Sequence, residues 1–171
     1  MIFLWAGLII LLMFGLTALI GAPYVPSHRS AVRKAFSELR PIGKQDLVVD
    51  IGSGDGTVLK IVAERGARGF GVEINLILVI ISRFRLRNYK HLVNIKTANL
   101  WHTKFPSETT VVYTFGESRD IKKMYQKAQV EATRLDRSLD FLSYGFEVPG
   151  VEATNAKHGF YLYRLQPLQS D

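Results

Sequence analysis

The chain has 171 residues, enough for one domain, with 22 Lys and Arg against 15 acids and a net charge of +7. It has no cysteine, and its four histidines (His28, His91, His102, His158) form no H-x-x-x-H or H-x-H pair. A disulfide framework and a thiolate or histidine metal site are therefore not expected, while the basic balance fits an anionic partner, either nucleic acid or an anionic membrane face.

The first 20 residues set the chain's relation to the bilayer. Ile2 to Ile20 carry no charge, and the apolar run continues through Gly21-Ala22 to Pro23. As a helix this stretch spans a hydrocarbon core of about 30 Å, with Trp5 near one interface. No Lys or Arg precedes it, it is longer than a signal-peptide core, and Ala22-Pro23 is a poor cleavage site. The expectation is a retained transmembrane anchor over 1–22. Arg29, Arg33 and Lys34 follow the span, so the positive-inside rule puts the rest of the chain on the cytoplasmic side. That describes a single-pass protein of a bacterial or archaeal plasma membrane or an organellar inner membrane.

Residues 23–45 read as a Pro/Gly hinge and an amphipathic basic helix. Ser27 is placed to cap a helix from His28 to Leu39, with Ala31, Val32, Ala35, Phe36 and Leu39 on one face. That face suits either the membrane surface or the edge of the following domain. From Asp46 to the end, strands and helices alternate. Strands are expected at 46–51, 69–73, 93–98 and 109–115, then at 139–146 and 160–165. Helices are expected at 57–65, 76–89 and 118–135. The pattern predicts an α/β fold, a Rossmann-like doubly wound and mainly parallel sheet with helices on both faces. The last two strands leave no room for a helix between them, so they are expected to form an antiparallel edge.

The chemistry concentrates at the end of the first strand, in Leu47-Val48-Val49-Asp50-Ile51-Gly52-Ser53-Gly54-Asp55-Gly56-Thr57. Glycines at alternate positions allow a sharp turn with φ > 0 and let a ligand approach the backbone. The N–H groups at the following helix start favour a polar or anionic ligand group. The spacing is G-x-G-x-G and not the G-x-G-x-x-G of dinucleotide sites, which disfavours a nicotinamide dehydrogenase. An acid two residues before Gly52 suits a ligand that carries an ammonium group. Glu73 ends the second strand 21 residues after Gly52, where a doubly wound fold places a ribose-hydroxyl acceptor. The pattern D-x-G-x-G-x-G resembles motif I of the class I, seven-β-strand methyltransferases, which bind S-adenosylmethionine.

On that resemblance, Asp50, Gly52, Ser53, Gly54 and Gly56 would hold the methionine portion and Glu73 the ribose. Asn99 would read the adenine edge, and Ile74 and Leu100 would flank the ring. Asp55 reads as a loop or helix-cap residue.

A narrower resemblance rests on the order of elements. After the apolar span come Pro23-Tyr24-Val25-Pro26-Ser27, the Gly loop and Gly71-Val72-Glu73-Ile74-Asn75. Ser82-Arg83-Phe84-Arg85 and Asn99-Leu100-Trp101 follow. This order resembles the membrane-anchored lysine methyltransferases of mitochondrial inner-membrane proteins and their prokaryotic relatives. The substrates of that family are the c-ring protein of ATP synthase and the adenine nucleotide translocase. The similarity covers most of residues 1–117. The chain departs from the family at Asn99, where an acid is usual, and beyond Glu117. It also lacks the N-P-P-Y motif of base-amino methyltransferases and has Thr114-Phe115-Gly116-Glu117 there instead, which argues against nucleic acid as substrate.

The resemblance implies methylation of a lysine on a membrane protein. Glu117, at a strand tip, is the candidate for orienting or deprotonating the amine. Tyr24 and Trp101 are candidates for walling a lysine channel, since an aromatic face attracts a cation. The cluster Arg83, Arg85, Arg87 and Lys90 fits anionic lipid headgroups or a solvated helix face. Two other functions stay open from the sequence: methylation of a lipid or membrane-soluble small molecule, and a non-catalytic membrane-bound module that binds S-adenosylmethionine.

Overall fold

A computed structural model describes residues 4, 5, 7, 8, 27–115 and 119–168. The expected anchor falls almost wholly outside them, and among the described residues no helix is long and apolar enough to cross a membrane. Tyr24 and Glu117 also lie outside the described residues.

The described strands form one seven-stranded sheet in the order β3-β2-β1-β4-β5-β7-β6. They are β1 (Leu47–Ile51), β2 (Arg68–Glu73), β3 (Val93–Thr97), β4 (Val111–Thr114), β5 (Leu139–Tyr144), β6 (Asn155–Lys157) and β7 (Phe160–Leu165). The first five run parallel, and β7 is antiparallel to both β5 and β6. The β5–β7 pair is antiparallel as expected, but it is not the edge. The edge is β6, whose three residues are all exposed and so carry no hydrophobic signal.

Helix α1 (Arg29–Lys34) continues as a wider π-wound turn over Ala35–Leu39. Val32, Ala35, Phe36 and Leu39 are buried with Val48, Val111, Tyr113, Leu142 and Phe160. The predicted apolar face of this helix is therefore covered by the sheet. Ser27 does not cap it; its hydroxyl is 2.9 Å from the Tyr113 hydroxyl, so the side chain faces the core and His28 takes the cap position. Helices α2 (Thr57–Glu64) and α3 (Leu76–Arg85) lie on the same side of the sheet as α1. Helix α4 (Ile121–Leu135) covers the other side, burying Ile121, Met124, Ala128 and Ala132 against β1, β4 and β5.

Ion pairs lock the amino ends of the strands. Arg40 donates to Asp140 (2.5 Å) and Asp46 (2.9 Å), and Arg164 closes on the other oxygen of Asp140 (2.6 Å). Burial works against the Asp46 charge. The Gly43 N–H, the Thr110 hydroxyl and Arg40 outweigh it and hold that carboxyl below its usual range. The carboxyl ends are left for the site. Going outward from β1, connections run one way to β2 and β3 and the other way to β4 and β5. The crevice at that reversal is where open α/β sheets bind ligands.

Candidate cofactor and active site

The loop after β1 folds back over the tip of β2. The N–H groups of Gly52 and Ser53 both donate to the Val72 carbonyl (2.9 and 3.1 Å), and Gly56 N–H donates to Ser53 (2.9 Å). Gly52 and Gly56 sit at φ of 73° and 76°, a left-handed backbone that side chains resist. Their surroundings differ. A Cβ on Gly56 would lie 2.8 Å from Ser82 Cβ and 2.9 Å from Leu86 Cδ1, so this glycine lets α3 close on the loop. A Cβ on Gly52 would meet nothing within 4 Å. Gly52 faces open space, as a glycine that lets a ligand approach should.

Two acids flank the loop. Glu73, 8 % exposed, accepts from Gly54 N–H (2.9 Å) and Asn75 N–H (2.8 Å). It thus ties the glycine loop to the tip of β2. Each oxygen keeps a further lone pair for a ligand hydroxyl. Asp50 is 2 % exposed, and its Oδ2 has no hydrogen-bond partner. Burial, with the charges of Glu73 and Asp55 behind it, pushes this carboxyl well above the usual carboxylate range. An unpaired buried carboxyl is costly, and a cationic partner relieves that cost.

Among the described residues only three buried side-chain polar atoms lack a partner: Asp50 Oδ2, Ser53 Oγ and Arg65 Nε. The first two lie at the glycine loop. Native buried polar atoms are nearly all satisfied, so two orphans at one loop mark a place built for a ligand. The residues fit S-adenosylmethionine: a buried acid for its ammonium, a carboxylate for its ribose, and an open glycine between them.

The remaining predicted residues separate. Asn99 Oδ1 accepts from Trp101 N–H (2.9 Å), and the Asn99 carbonyl accepts from the Thr103 hydroxyl (2.8 Å). The side-chain oxygen therefore caps the turn at Leu100–His102, leaving the amide NH₂ for an adenine edge. Ile74 is 41 % exposed beside Glu73, Leu100 packs partly against the core, and Trp101 is 38 % exposed. Asp55 accepts from Thr57 N–H (3.0 Å) and pairs with Arg85, which also donates to the Thr57 hydroxyl (2.5 Å). Arg85 thereby leaves the expected surface cluster and braces the loop.

Sequence reasoning missed an aromatic group at the tips of β4 and β5. The Phe115 and Tyr144 rings lie 4.8 Å apart, and Tyr144 stacks on Phe160 at 4.3 Å. Both Phe115 and Tyr144 are partly exposed next to the undescribed 116–118 turn. The alternation of Tyr113 and Phe115 along β4 was the available signal. It could not show that Tyr144 joins them from β5. Tyr113 pairs with Asp50 in the strand register, on the side covered by α1.

The strand order, the reversal between β1 and β4 and the glycine loop with its two acids define a class I methyltransferase, and S-adenosylmethionine is its cofactor. The chain belongs to the family described as the ANTKMT methyltransferase domain, whose model matches residues 50–155. A lysine N-methyltransferase of the ATP synthase c-ring protein, from Xenopus laevis, is 34 % identical over 111 residues, covering 64 % of this chain and 48 % of that protein. The chain thus spans about half the length of that relative. A protein-lysine N-methyltransferase from Saccharolobus islandicus is 28 % identical over 156 residues, covering 82 % of this chain and 92 % of the relative. Among solved structures, an RNA methyltransferase from Salinibacter ruber in complex with S-adenosyl-L-homocysteine superposes with a TM-score of 0.73. It is 24 % identical and covers 86 % of this chain and 97 % of that one; at this identity the likeness is one of fold.

Proposed function

We propose that this protein transfers a methyl group from S-adenosylmethionine to a lysine side chain of a membrane protein, while anchored in the same membrane by residues 1–22. The observation that carries the cofactor part is the unpartnered, buried Asp50 carboxyl under the Gly52–Gly56 loop. The protein-lysine activity rests on the names of the Xenopus and Saccharolobus relatives. The anchor rests on the uncharged run from Ile2 to Ile20, and the catalytic domain on its cytoplasmic side rests on the cations that follow.

The cofactor supplies a methyl group activated by its positive sulfur. The chain's own part is to hold and align. Asp50 holds an ammonium, Glu73 accepts from ribose hydroxyls, and Gly52 lets the ligand reach the backbone. Asn99, Ile74 and Leu100 bound the base. Positioning of this kind lowers a barrier by about 7–11 kcal/mol. The amine must arrive without its proton. Desolvation lowers a lysine pKa, and Glu117 is the residue assigned to take the proton or orient the amine. Phe115 and Tyr144 join Tyr24 and Trp101 as aromatic faces for the lysine.

Calorimetry with the full chain tests the site. S-adenosylmethionine and its demethylated product are expected to bind at micromolar concentration, with binding lost in Asp50→Ala and Glu73→Ala. Incubation of membrane fractions with methyl-labelled cofactor tests the substrate. A labelled protein band, with label recovered as methyl-lysine, is the expected result. Label in the organic extract alone points to a lipid substrate, and cofactor binding without any transfer points to a non-catalytic module.

A further inference from the structure

Helix α3 is apolar on both of its sides. Its inner side, through Leu78, Val79, Ser82 and Leu86, is buried against β3 and the glycine loop. On its outer side Leu76, Ile80, Ile81 and Phe84 are 48, 58, 42 and 69 % exposed. At 3.6 residues per turn these four share one stripe, where a surface helix ordinarily carries polar residues. Ile74 continues the stripe to the tip of β2, beside Glu73.

Cations rim this stripe. Residues 74–107 hold six Lys and Arg and no acid. Arg85 is committed to Asp55 and Thr57. Arg87 lies over the Phe84 ring at 4.5 Å, and Arg83 reaches the Ile95 carbonyl at 3.1 Å. Lys90 follows on the surface. Phosphate groups alone would engage these cations and leave the aliphatic stripe in water. A bilayer with anionic headgroups takes both, as it does for interfacial helices with Lys and Arg beside an apolar face.

We propose that the outer face of α3 docks on an anionic lipid surface. Leu76, Ile80, Ile81 and Phe84 enter the headgroup–acyl boundary, and Arg83, Arg87 and Lys90 meet the phosphates. Because the stripe runs up to Ile74 and Glu73, docking sets the mouth of the cofactor crevice at the membrane surface, where a lysine near the bilayer is within reach. The inference rests on the proposed membrane placement, but it uses residues outside the proposed anchor.

The chain has no cysteine, so Ile80→Cys and Phe84→Cys in the full protein each take a single nitroxide label. Val130→Cys serves as control, since Val130 is 61 % exposed on α4, across the sheet. The labelled proteins are reconstituted into vesicles of phosphatidylcholine alone or of equal parts phosphatidylcholine and phosphatidylglycerol. Expected is loss of access to a water-soluble relaxant at residues 80 and 84 on the anionic vesicles only, with residue 130 unchanged. Labels at 80 and 84 that stay aqueous on both vesicles overturn the proposal. So does equal shielding at 130, or shielding without vesicles that grows with protein concentration, which would mark a protein–protein face. Alkaline carbonate extraction of the same vesicles reads the anchor separately. Protein that resists extraction while its labels stay aqueous sinks only the α3 contact, and extractable protein with shielded labels sinks only the anchor.

Discussion

Gly52 and Gly56 share a backbone conformation but not a neighbourhood, which makes them a matched pair. Alanine at either position costs about 1–2 kcal/mol for the left-handed backbone. At Gly56 the new Cβ also meets Ser82 and Leu86 inside 3 Å. Overpacking of that kind adds about 1–3 kcal/mol. Gly56→Ala should therefore lose about 2–5 kcal/mol, a drop in Tm of about 4–20 °C for a chain of this size. Gly52→Ala should lose only the conformational part, about 2–8 °C. Its larger effect falls on the ligand, because the added methyl occupies the open side of the loop. A loss of about 1.4 kcal/mol, the scale of one displaced backbone hydrogen bond, is tenfold in affinity. The assay is thermal melting of the full chain in mild detergent, followed by calorimetric titration with S-adenosylmethionine at a temperature where both variants are folded. Gly52→Ala with wild-type affinity would refute the assignment of that open space to the cofactor. Gly56→Ala with a wild-type Tm would refute the packing argument.

Other outcomes follow from the charges. An acid with a raised folded pKa binds more protons folded than unfolded. Ligand-free stability therefore falls as pH rises from the ordinary carboxylate range through the raised pKa of Asp50. Asp50→Asn should melt higher than wild type without ligand at neutral and alkaline pH, lose that advantage in acid, and bind cofactor more weakly; melts across pH with and without S-adenosylmethionine read all three. Glu38 is held at about 2 by hydrogen bonds from Lys157 and His158, which join α1 to β6. Its contribution is present above the ordinary Glu range and lost as pH falls toward 2, so Glu38→Gln should flatten the acid limb of the stability curve followed by circular dichroism. Arg40→Ala strands two buried carboxylates, Asp46 and Asp140. It should cost about 3–5 kcal/mol in denaturant unfolding while leaving cofactor affinity unchanged, because the pair lies at the other end of the strands.

The sequence by itself determined the strand–helix alternation, the glycine loop after the first strand and the acid at the tip of the second. These depend on local period and on residues with singular backbone properties, so they are legible without knowing what packs where. Only the tertiary structure decided what meets each face. The period of α1 showed an apolar stripe but not its cover, which is the sheet. Ser27 looked like a cap because caps are local, and it turned inward because Tyr113, 86 residues away, offers a buried hydroxyl. Arg83, Arg85 and Arg87 read as one cluster, yet Arg85 points back to Asp55 across the helix–loop contact. Short, exposed β6 left no hydrophobic trace. The orphaned oxygen of Asp50 was invisible in sequence for the same reason. Whether a buried polar atom finds a partner depends on groups far along the chain, brought within about 3 Å only by folding.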